Sequence, residues 1–306
     1  MSESAWLLHF PEDAARAQAL AGACGWPARA VERHRFPDGE IRLRLPLDEG
    51  QAPAPRLAVL RSLDQPNDKL VELMLLADTA RALGARHLTL VAPYLAYMRQ
   101  DMAFRPGEAV SQRIVGRFLA QRFDAVITVD PHLHRVATLE EAVPVPQTVV
   151  LSGAPFLADL IARRRPGALL VGPDEESGQW VAQAAARQGL ASAVCRKTRL
   201  GDREVVIDLP GVSVQGRAVV LLDDMASTGH TVAQAAHALR AAGAASVDVA
   251  VTHALFGPDT DRLLHAAGVD EIWSTDCVPH PSNAVSMAVP LAEALSGLST
   301  PPSAQD

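Results

Sequence analysis

The stretch VVLLDDMASTGHTV, residues 219–232, is the most informative part of this chain. It opens with consecutive apolar residues that lack the alternation of a half-exposed strand, so it predicts a strand buried on both faces, as in a parallel sheet. Asp223 and Asp224 follow at the expected carboxyl end of that strand, and a short loop leads into a helix predicted to begin near Thr231. Ligands bind at this edge of open α/β sheets. The stretch therefore predicts an α/β fold with a polar site beside two carboxylates.

The composition describes an ordinary globular protein that is long enough for two domains. The 306 residues are 48% hydrophobic and 21% charged, with a formal net charge of −7. This negative charge disfavours general binding to nucleic acid or to an anionic membrane. The cysteines are few and far apart, which indicates neither a disulfide framework nor a zinc site, and no apolar run reaches the length of a membrane span. We expect a cytoplasmic protein with no nucleic-acid or membrane partner.

The chain contains an internal duplication. RLAVLRSLDQPNDKLVELMLLADTARALGARHLTLVAPY begins at Arg56, and RAVVLLDDMASTGHTVAQAAHALRAAGAASVDVAVTHAL begins at Arg217. Each segment reads as strand, loop, Ala/Leu-rich helix and strand, and Gly84 and Gly243 stand where a left-handed helix cap is expected. The alternative is that any two strand–helix–strand units look alike. Alternating strands and helices predict two tandem doubly wound domains with mainly parallel sheets.

The two halves differ at the acidic pair. When the opening arginines are aligned, Ser62 and Leu63 take the places of the two aspartates, so the acidic site is expected once per chain. Prolines interrupt the pattern in VPVPQTVVLSG. We therefore expect an N-terminal domain at 1–145, joined by a C-terminal helix within 286–306, and a C-terminal domain at 146–285.

The acidic loop has the chemistry of a site for a 5-phosphorylated pentose. Adjacent carboxylates can accept hydrogen bonds from the 2- and 3-hydroxyls of a ribose, while backbone N–H groups, hydroxyls and a helix N-terminus favour a phosphate. A hydroxyl residue before a helix is, on its own, most often a helix cap. The acidic pair combined with Thr-Gly-x-Thr is more specific than such a cap. The predicted site comprises Asp223, Asp224, Ser227, Thr228, Gly229 and Thr231.

DDMASTGHT resembles the phosphoribosyl pyrophosphate binding loop shared by type I phosphoribosyltransferases and ribose-phosphate pyrophosphokinases, with His230 where a small residue is usual. Four further stretches favour the pyrophosphokinase family, and the resemblance runs from about Phe36 to near Leu291. It implies two phosphoribosyltransferase-like domains, of which the first binds ATP and the second ribose 5-phosphate.

The resemblance also assigns roles in ATP binding and catalysis. RFPDGEIRLRL and YMRQD match stretches that contact ATP in the family, and ITVDPHLH matches one in which a histidine contacts the magnesium nucleotide; the second histidine of that stretch, His134, has no counterpart. VCRKTRLGD matches the catalytic loop, where two fixed cations would stabilise charge on the transferred group. The residues so implied are Phe36, Asp38, Glu40, Arg99 and Gln100 for ATP, His132 and Asp174 for the metal, and Lys197 and Arg199 for catalysis.

The chain departs from the family after Asp174. Glu176 and Ser177 replace two glycines that let the backbone approach the sugar phosphate and metal, and Trp180 stands where arginine is common. This departure leaves altered substrate choice, altered metal use and weak catalysis all open.

The resemblance implies Mg²⁺-dependent transfer of diphosphate from ATP to the 1-hydroxyl of ribose 5-phosphate, giving phosphoribosyl pyrophosphate and AMP. It also implies a homo-oligomer, from a dimer up to a hexamer. Two alternatives remain: a phosphoribosyltransferase using the same loop, and a regulatory paralogue that binds nucleotide without turnover. The duplicated chain argues against the first, and the retained Lys-x-Arg and acidic pair argue against the second.

Overall fold

The computed structural model describes residues 5–199, 205–208 and 211–298, which form two compact units. The first unit comprises the described residues up to Leu151 together with the last helix of the chain, and the second spans Ser152–Met287. No described helix combines the length and the apolar character needed to cross a membrane.

The first unit is built on a parallel sheet and carries a separate antiparallel hairpin. Its strands are β1 (Ala5–His9), β2 (Ala28–Ala30), β3 (Glu32–Arg35), β4 (Ile41–Arg44), β5 (Arg56–Leu60), β6 (His87–Ala92), β7 (Ala125–Val129) and β8 (Gln147–Leu151). Its helices before Leu151 are α1 (Ala14–Cys24), α2 (Pro66–Ala82), α3 (Ser111–Ala120) and α4 (Leu139–Ala142), with a 3₁₀ helix at Pro11–Asp13. In the described residues the sheet order is β2-β1-β5-β6-β7-β8, and β3 pairs with β4. Because β8 pairs with β7, residues 147–151 belong to this sheet.

The second unit repeats this arrangement. Its strands are β9 (Leu169–Gly172), β10 (Ser192–Val194), β11 (Arg196–Arg199), β12 (Val205–Asp208), β13 (Ala218–Ala226), β14 (Ser246–Ala254), β15 (Ile272–Thr275) and β16 (Asn283–Val285). Its helices are α5 (Ala154–Arg164), α6 (Gly178–Gln188), α7 (His230–Ala241) and α8 (Thr260–Ala266), with a 3₁₀ helix at Glu175–Ser177. The parallel sheet of the described residues has the order β10-β9-β13-β14-β15-β16, and β11 pairs with β12 as an antiparallel hairpin. The final helix, α9 (Ala288–Gly297), belongs to the first unit and contacts α1, β7 and β8.

Apolar side chains cover both faces of the second sheet. Val219 and Leu221 of β13 pack into a core with α7, while Val220 and Leu222 pack into a core with α5 and α6. Successive strand residues point to opposite faces, so an unbroken apolar run is what a sheet covered on both sides requires. This confirms the doubly wound prediction made from the run itself.

The duplication is visible in the topology as well as in the sequence. The two sheets have the same strand order position by position, and in each unit a hairpin follows the edge strand. Gly84 after α2 and Gly243 after α7 both have left-handed backbones, with φ of 101° and 89°. Both glycines therefore end their helices as predicted.

Candidate active site

The acidic pair lies within β13, which is longer than the sequence predicts. The predicted strand ends at Leu222, but pairing with β14 continues through Asp223 and Met225 to Ala226. The other neighbour, β9, makes its last described pair at Leu221. The two polar aspartates suggested that the strand ends at Leu222. It continues beyond them because its backbone pairs with the buried strand β14 past this point. The carboxylates consequently stand beyond the end of β9 while their backbone stays fixed to β14.

Asp223 lies in a strongly negative environment. Burial raises the pKa of its carboxyl well above the usual range, and the neighbouring charges of Asp224 and Asp174 raise it further. The Asp224 backbone N–H donates to Asp223 Oδ1 at 2.9 Å, and the Asp224 side chain is itself buried. A divalent cation would neutralise part of this negative charge, and the hydroxyls of a ribose would donate hydrogen bonds to the carboxylates.

The loop after the acidic pair presents the N-terminus of α7. This helix begins at His230, one position before the predicted Thr231, and its N-cap is Gly229 with φ of 73° and no side-chain capping bond. A β-carbon at Gly229 would lie 2.7 Å from Thr260 Cγ2. The N-cap position is a glycine, which has no side chain to make a capping bond, so neither Thr228 nor Thr231 is the N-cap residue. The first-turn N–H groups of a helix suit an anion.

Contacts with the neighbouring loop fix the backbone of this turn. The Ser227 carbonyl accepts from Thr260 Oγ1 at 2.9 Å and from the Gly257 N–H at 3.3 Å. Thr228 is exposed, whereas Ser227 and Thr231 are half-buried. The six predicted sugar-phosphate residues thus lie in one strand, one turn and one helix start.

The segment after Asp174 is well packed despite its unusual residues. Ser177 is fully buried and donates to the Asp174 carbonyl at 2.6 Å, and Trp180 belongs to the core with α5. The Asp174 side chain accepts from the Glu176 N–H at 3.2 Å and caps the 3₁₀ helix, while the Glu176 side chain is exposed. A β-carbon at Gly172 would lie 2.2 Å from Ser177 Oγ, so the serine fills a notch left by that glycine. The residues that differ from the family pattern therefore belong to a well-packed turn that follows Asp174.

In the first unit, three of the predicted ATP residues lie at the tip of the β3–β4 hairpin. Phe36 is 38% exposed and its ring stacks edge-on against His34, with centroids 4.8 Å apart. The Phe36 N–H donates to the Glu40 carbonyl at 2.8 Å, and the Glu40 N–H donates to Asp38 Oδ1 at 3.1 Å. The tip thus presents an aromatic ring and two carboxylates together.

The other predicted ATP residues follow β6 and β7, which are neighbours in the sheet. Arg99 and Gln100 come after β6, and His132 comes after β7, so the same sheet edge carries all three. Two further residues join these segments, because Arg135 donates to the buried carboxylate of Asp101 at 2.7 Å. Sequence reasoning missed this pair, since nothing in either motif marks an ion pair between distant positions.

His134 contacts His132, although the sequence gives it no role. The two rings pack edge-on with centroids 4.0 Å apart, and their Nε2 atoms are in contact. The sequence signal for this contact was that His132 and His134 lie two positions apart in ITVDPHLH.

Lys197 and Arg199 lie in β11, opposite Ile207 and Val205 of β12. Their side chains, and residues 200–204 between the strands, lie outside the described part of the chain. Their catalytic role stays a prediction.

Comparison with known proteins identifies the family. A model for the N-terminal domain of ribose phosphate pyrophosphokinase matches residues 7–122, and one for the phosphoribosyl synthetase-associated domain matches residues 203–289. The ribose-phosphate pyrophosphokinase of Methanopyrus kandleri is 40% identical, covering 88% of this chain and 91% of that protein. The chain belongs to the ribose-phosphate pyrophosphokinase family.

Other members of this pyrophosphokinase family and a solved structure agree. The ribose-phosphate pyrophosphokinase of Methanosarcina acetivorans is 34% identical, covering 92% of this chain and 96% of that protein. The phosphoribosylpyrophosphate synthetase from Mycobacterium smegmatis superposes with a TM-score of 0.80 at 24% identity, covering 96% of this chain and 98% of that one. The predicted fold class, two tandem doubly wound phosphoribosyltransferase-like domains, is confirmed.

Proposed function

We propose that this chain transfers diphosphate from ATP to the 1-hydroxyl of ribose 5-phosphate, giving phosphoribosyl pyrophosphate and AMP. The observation that carries the proposal is the acidic pair of β13, followed by a helix whose N-cap is a glycine, in a pyrophosphokinase-family chain. The carboxylates would accept hydrogen bonds from the ribose hydroxyls, and the turn would bind the 5-phosphate.

In this proposal each unit binds one of the two substrates. The second unit binds ribose 5-phosphate through Asp223, Asp224, Ser227, Thr228, Gly229 and Thr231. The first binds ATP through Phe36, Asp38, Glu40, Arg99 and Gln100. The exposed ring of Phe36 supports stacking on adenine, and the sheet edge after β6 and β7 supports binding of the phosphates.

The donors present fit Mg²⁺. Magnesium prefers carboxylate oxygens, and Asp174 lies near enough to Asp223 to raise its pKa. Asp174 would hold the ion on the sugar side, and His132 would contact the magnesium nucleotide. When bound, Mg²⁺ neutralises phosphate charge.

In the proposed reaction, the 1-hydroxyl oxygen forms a bond to the β-phosphorus as the bond from that phosphorus to the α,β-bridging oxygen breaks. The hydroxyl proton passes to solvent and AMP leaves. Such a transfer needs positioning and charge neutralisation more than covalent protein chemistry. The sugar-phosphate turn orients the nucleophile, and Lys197 and Arg199 stabilise charge on the transferred group. We also propose a cytoplasmic homo-oligomer, at least a dimer.

A product assay tests the proposal. Purified protein is incubated with ribose 5-phosphate, ATP and Mg²⁺, and AMP, ADP and phosphorylated sugars are separated. Sugar-dependent AMP with phosphoribosyl pyrophosphate is the expected result. Sugar-dependent ADP would mean transfer of a single phosphoryl group, and nucleotide binding without any sugar-dependent product would favour the regulatory paralogue. Formation of phosphoribosyl pyrophosphate and a free base from a nucleoside monophosphate and pyrophosphate, with no sugar-dependent AMP from ATP, would favour the phosphoribosyltransferase.

A further inference from the structure

A cluster of six charged side chains lies beneath the β3–β4 hairpin of the first unit. Its centre is Arg61, directly after β5, whose side chain is among the largest fully buried ones in the described chain. Arg61 lies 2.8 Å from both Asp13 Oδ2 and Glu12 Oε1, and its other terminal nitrogen donates to Glu72. We call this the ion cluster, and its members are Glu12, Asp13, Arg16, Arg33, Arg61 and Glu72.

The ion cluster balances its charges, three arginines against three carboxylates. Burial would raise the pKa of Glu12, but a backbone hydrogen bond, the hydrogen bond and charge of Arg61 and a hydrogen bond from Arg33 outweigh it and lower the pKa to about 2. Burial likewise opposes the charge of Arg61, yet Glu72 and Asp13 raise its pKa above the usual value. Both shifts favour the ionised forms of Glu12 and Arg61. Buried charges require such pairing, and removing one partner leaves another uncompensated.

Arg33 is the contribution of the hairpin to this cluster. It lies on β3, and its Nη1 donates both to Glu12 Oε1 at 2.9 Å and to Glu72 at the centre of α2. Below it the Phe10 ring contacts two guanidinium groups, with Arg61 4.3 Å and Arg33 5.8 Å from the ring centroid. Within the described residues β3 and β4 pair only with each other. The hairpin is therefore held to the unit by side-chain contacts, including Leu43 of β4 against the core, and by the backbone at its base, where the Val31 N–H donates to the His9 carbonyl at 2.8 Å.

The cluster and the hairpin tip are connected by a short stretch of rigid backbone. Phe36 lies three positions after Arg33, and β3 is paired with β4 along its whole length. The other ion pair between hairpin and helix, Arg35 with Asp68 at 2.6 Å, has both side chains exposed, where such pairs contribute little. The buried end of Arg33 is thus the stronger anchor.

We propose that Arg33, held by Glu72 and Glu12, is a positioning residue that fixes the hairpin so that Phe36, Asp38 and Glu40 are preorganised for ATP. This inference rests on the proposed function, because it takes the hairpin tip as part of the ATP site. Arg33 itself does not touch the nucleotide in this proposal.

Arg33→Met is the test, because it keeps the length of the side chain and leaves Arg61 to neutralise Glu72. We expect the KM for ATP to rise about tenfold while kcat changes less than about twofold, since loosening the hairpin removes preorganised binding. Hydrogen exchange should accelerate across residues 32–44 and stay unchanged in β5 and β6. Arg33→Lys should recover part of the affinity, since one ammonium cannot reproduce the planar guanidinium contacts.

Arg44→Met is the matched control on the same hairpin. Arg44 pairs with Glu32 at 2.8 Å, but both side chains are 62% exposed, so its removal should leave the KM for ATP unchanged. An Arg33→Met enzyme with unchanged KM for ATP, or one that loses protection throughout the first unit rather than across residues 32–44, would overturn the positioning role.

Phe36→Ala separates the two levels of the proposal. If Phe36→Ala raises the KM for ATP and Arg33→Met does not, the ATP assignment stands and the positioning role fails. If neither variant changes the KM for ATP, the hairpin is not part of the ATP site and both fail.

Discussion

At the scale of single residues, Asp223 shows how the proposed function opposes stability. Its carboxyl group is buried and lies near two further acids, Asp224 and Asp174. Both the burial and these neighbouring charges disfavour its ionised form. A side chain chosen for stability alone would be neutral at this position. The environment of Asp223, as well as its motif, therefore supports the proposed binding role.

Replacing Asp223 with asparagine should stabilise the protein and weaken its binding of ribose 5-phosphate. Because the folded pKa lies above the ordinary value of 3.8, the folded state binds more protons than the unfolded state between the two pKa values. Wild-type stability therefore falls as pH rises through that window, and the asparagine variant escapes this loss. In EDTA at pH 7 we expect a melting temperature higher by about 2 °C or more, a difference that shrinks towards pH 4.

Asp159→Asn provides a control of opposite sign in the same unit. A hydrogen bond from Arg187 lowers the pKa of Asp159, so its charge contributes stability above the ordinary pKa, which is lost as pH falls. That variant should be slightly less stable than wild type at pH 7. An Asp223→Asn protein that melts at or below the wild-type temperature at pH 7 would contradict the electrostatic account.

At the scale of elements, the two hairpins occupy equivalent places in the two units. Each follows the edge strand of its sheet, and Arg33 and Lys197 are each the second residue of the first hairpin strand. The first hairpin uses this cation as an anchor in the ion cluster. The second, we propose, uses it for the phosphates. In this proposal, the two copies of the duplicated hairpin therefore use a basic side chain in two different ways.

Lys197→Ala should lower turnover by at least about 100-fold while sparing nucleotide binding, because it removes a cation needed mainly in the transition state. Arg196→Ala is the control on the same strand, since Arg196 is highly exposed and lies 3.9 Å from an exposed Glu175. Steady-state turnover and equilibrium ATP titration measure the two effects. Equal turnover in wild type and Lys197→Ala would remove the assigned role.

The sequence predicted most elements because unbroken apolar runs and glycine caps are local signals. The end of β13 was predicted wrongly, since Asp223 and Asp224 look like a strand end until the partner β14 is known. The ion cluster was not predicted at all. Its members come from four separate segments of the chain, and each alone resembles a solvated surface charge; only the fold brings Arg61 and Glu72 together.

At the scale of the whole molecule, the chain leaves its first unit and returns to it. Helix α9 follows the entire second unit, yet it packs on α1, β7 and β8 of the first. Leu291 and Leu295 on this helix are buried. The first unit therefore depends on residues from both ends of the chain.

Leu295→Ala should destabilise the first unit by about 2–5 kcal/mol, the usual cost of such a cavity. Val289→Ala, at a residue of the same helix that is 60% exposed, should change stability by less than about 0.5 kcal/mol. Hydrogen exchange resolved along the chain checks the prediction. Faster exchange confined to residues 152–287 in Leu295→Ala would contradict the packing described for α9.

The late arrival of α9 also affects how the protein emerges from the ribosome. The strands of the first sheet are translated before Ser152, but the helix that covers α1 is translated only after the whole second unit. At about 5–20 residues per second, that interval is on the order of ten seconds. During this time α9 does not yet cover α1 on the nascent chain, so the first unit would offer an exposed apolar surface to chaperones that bind such surfaces.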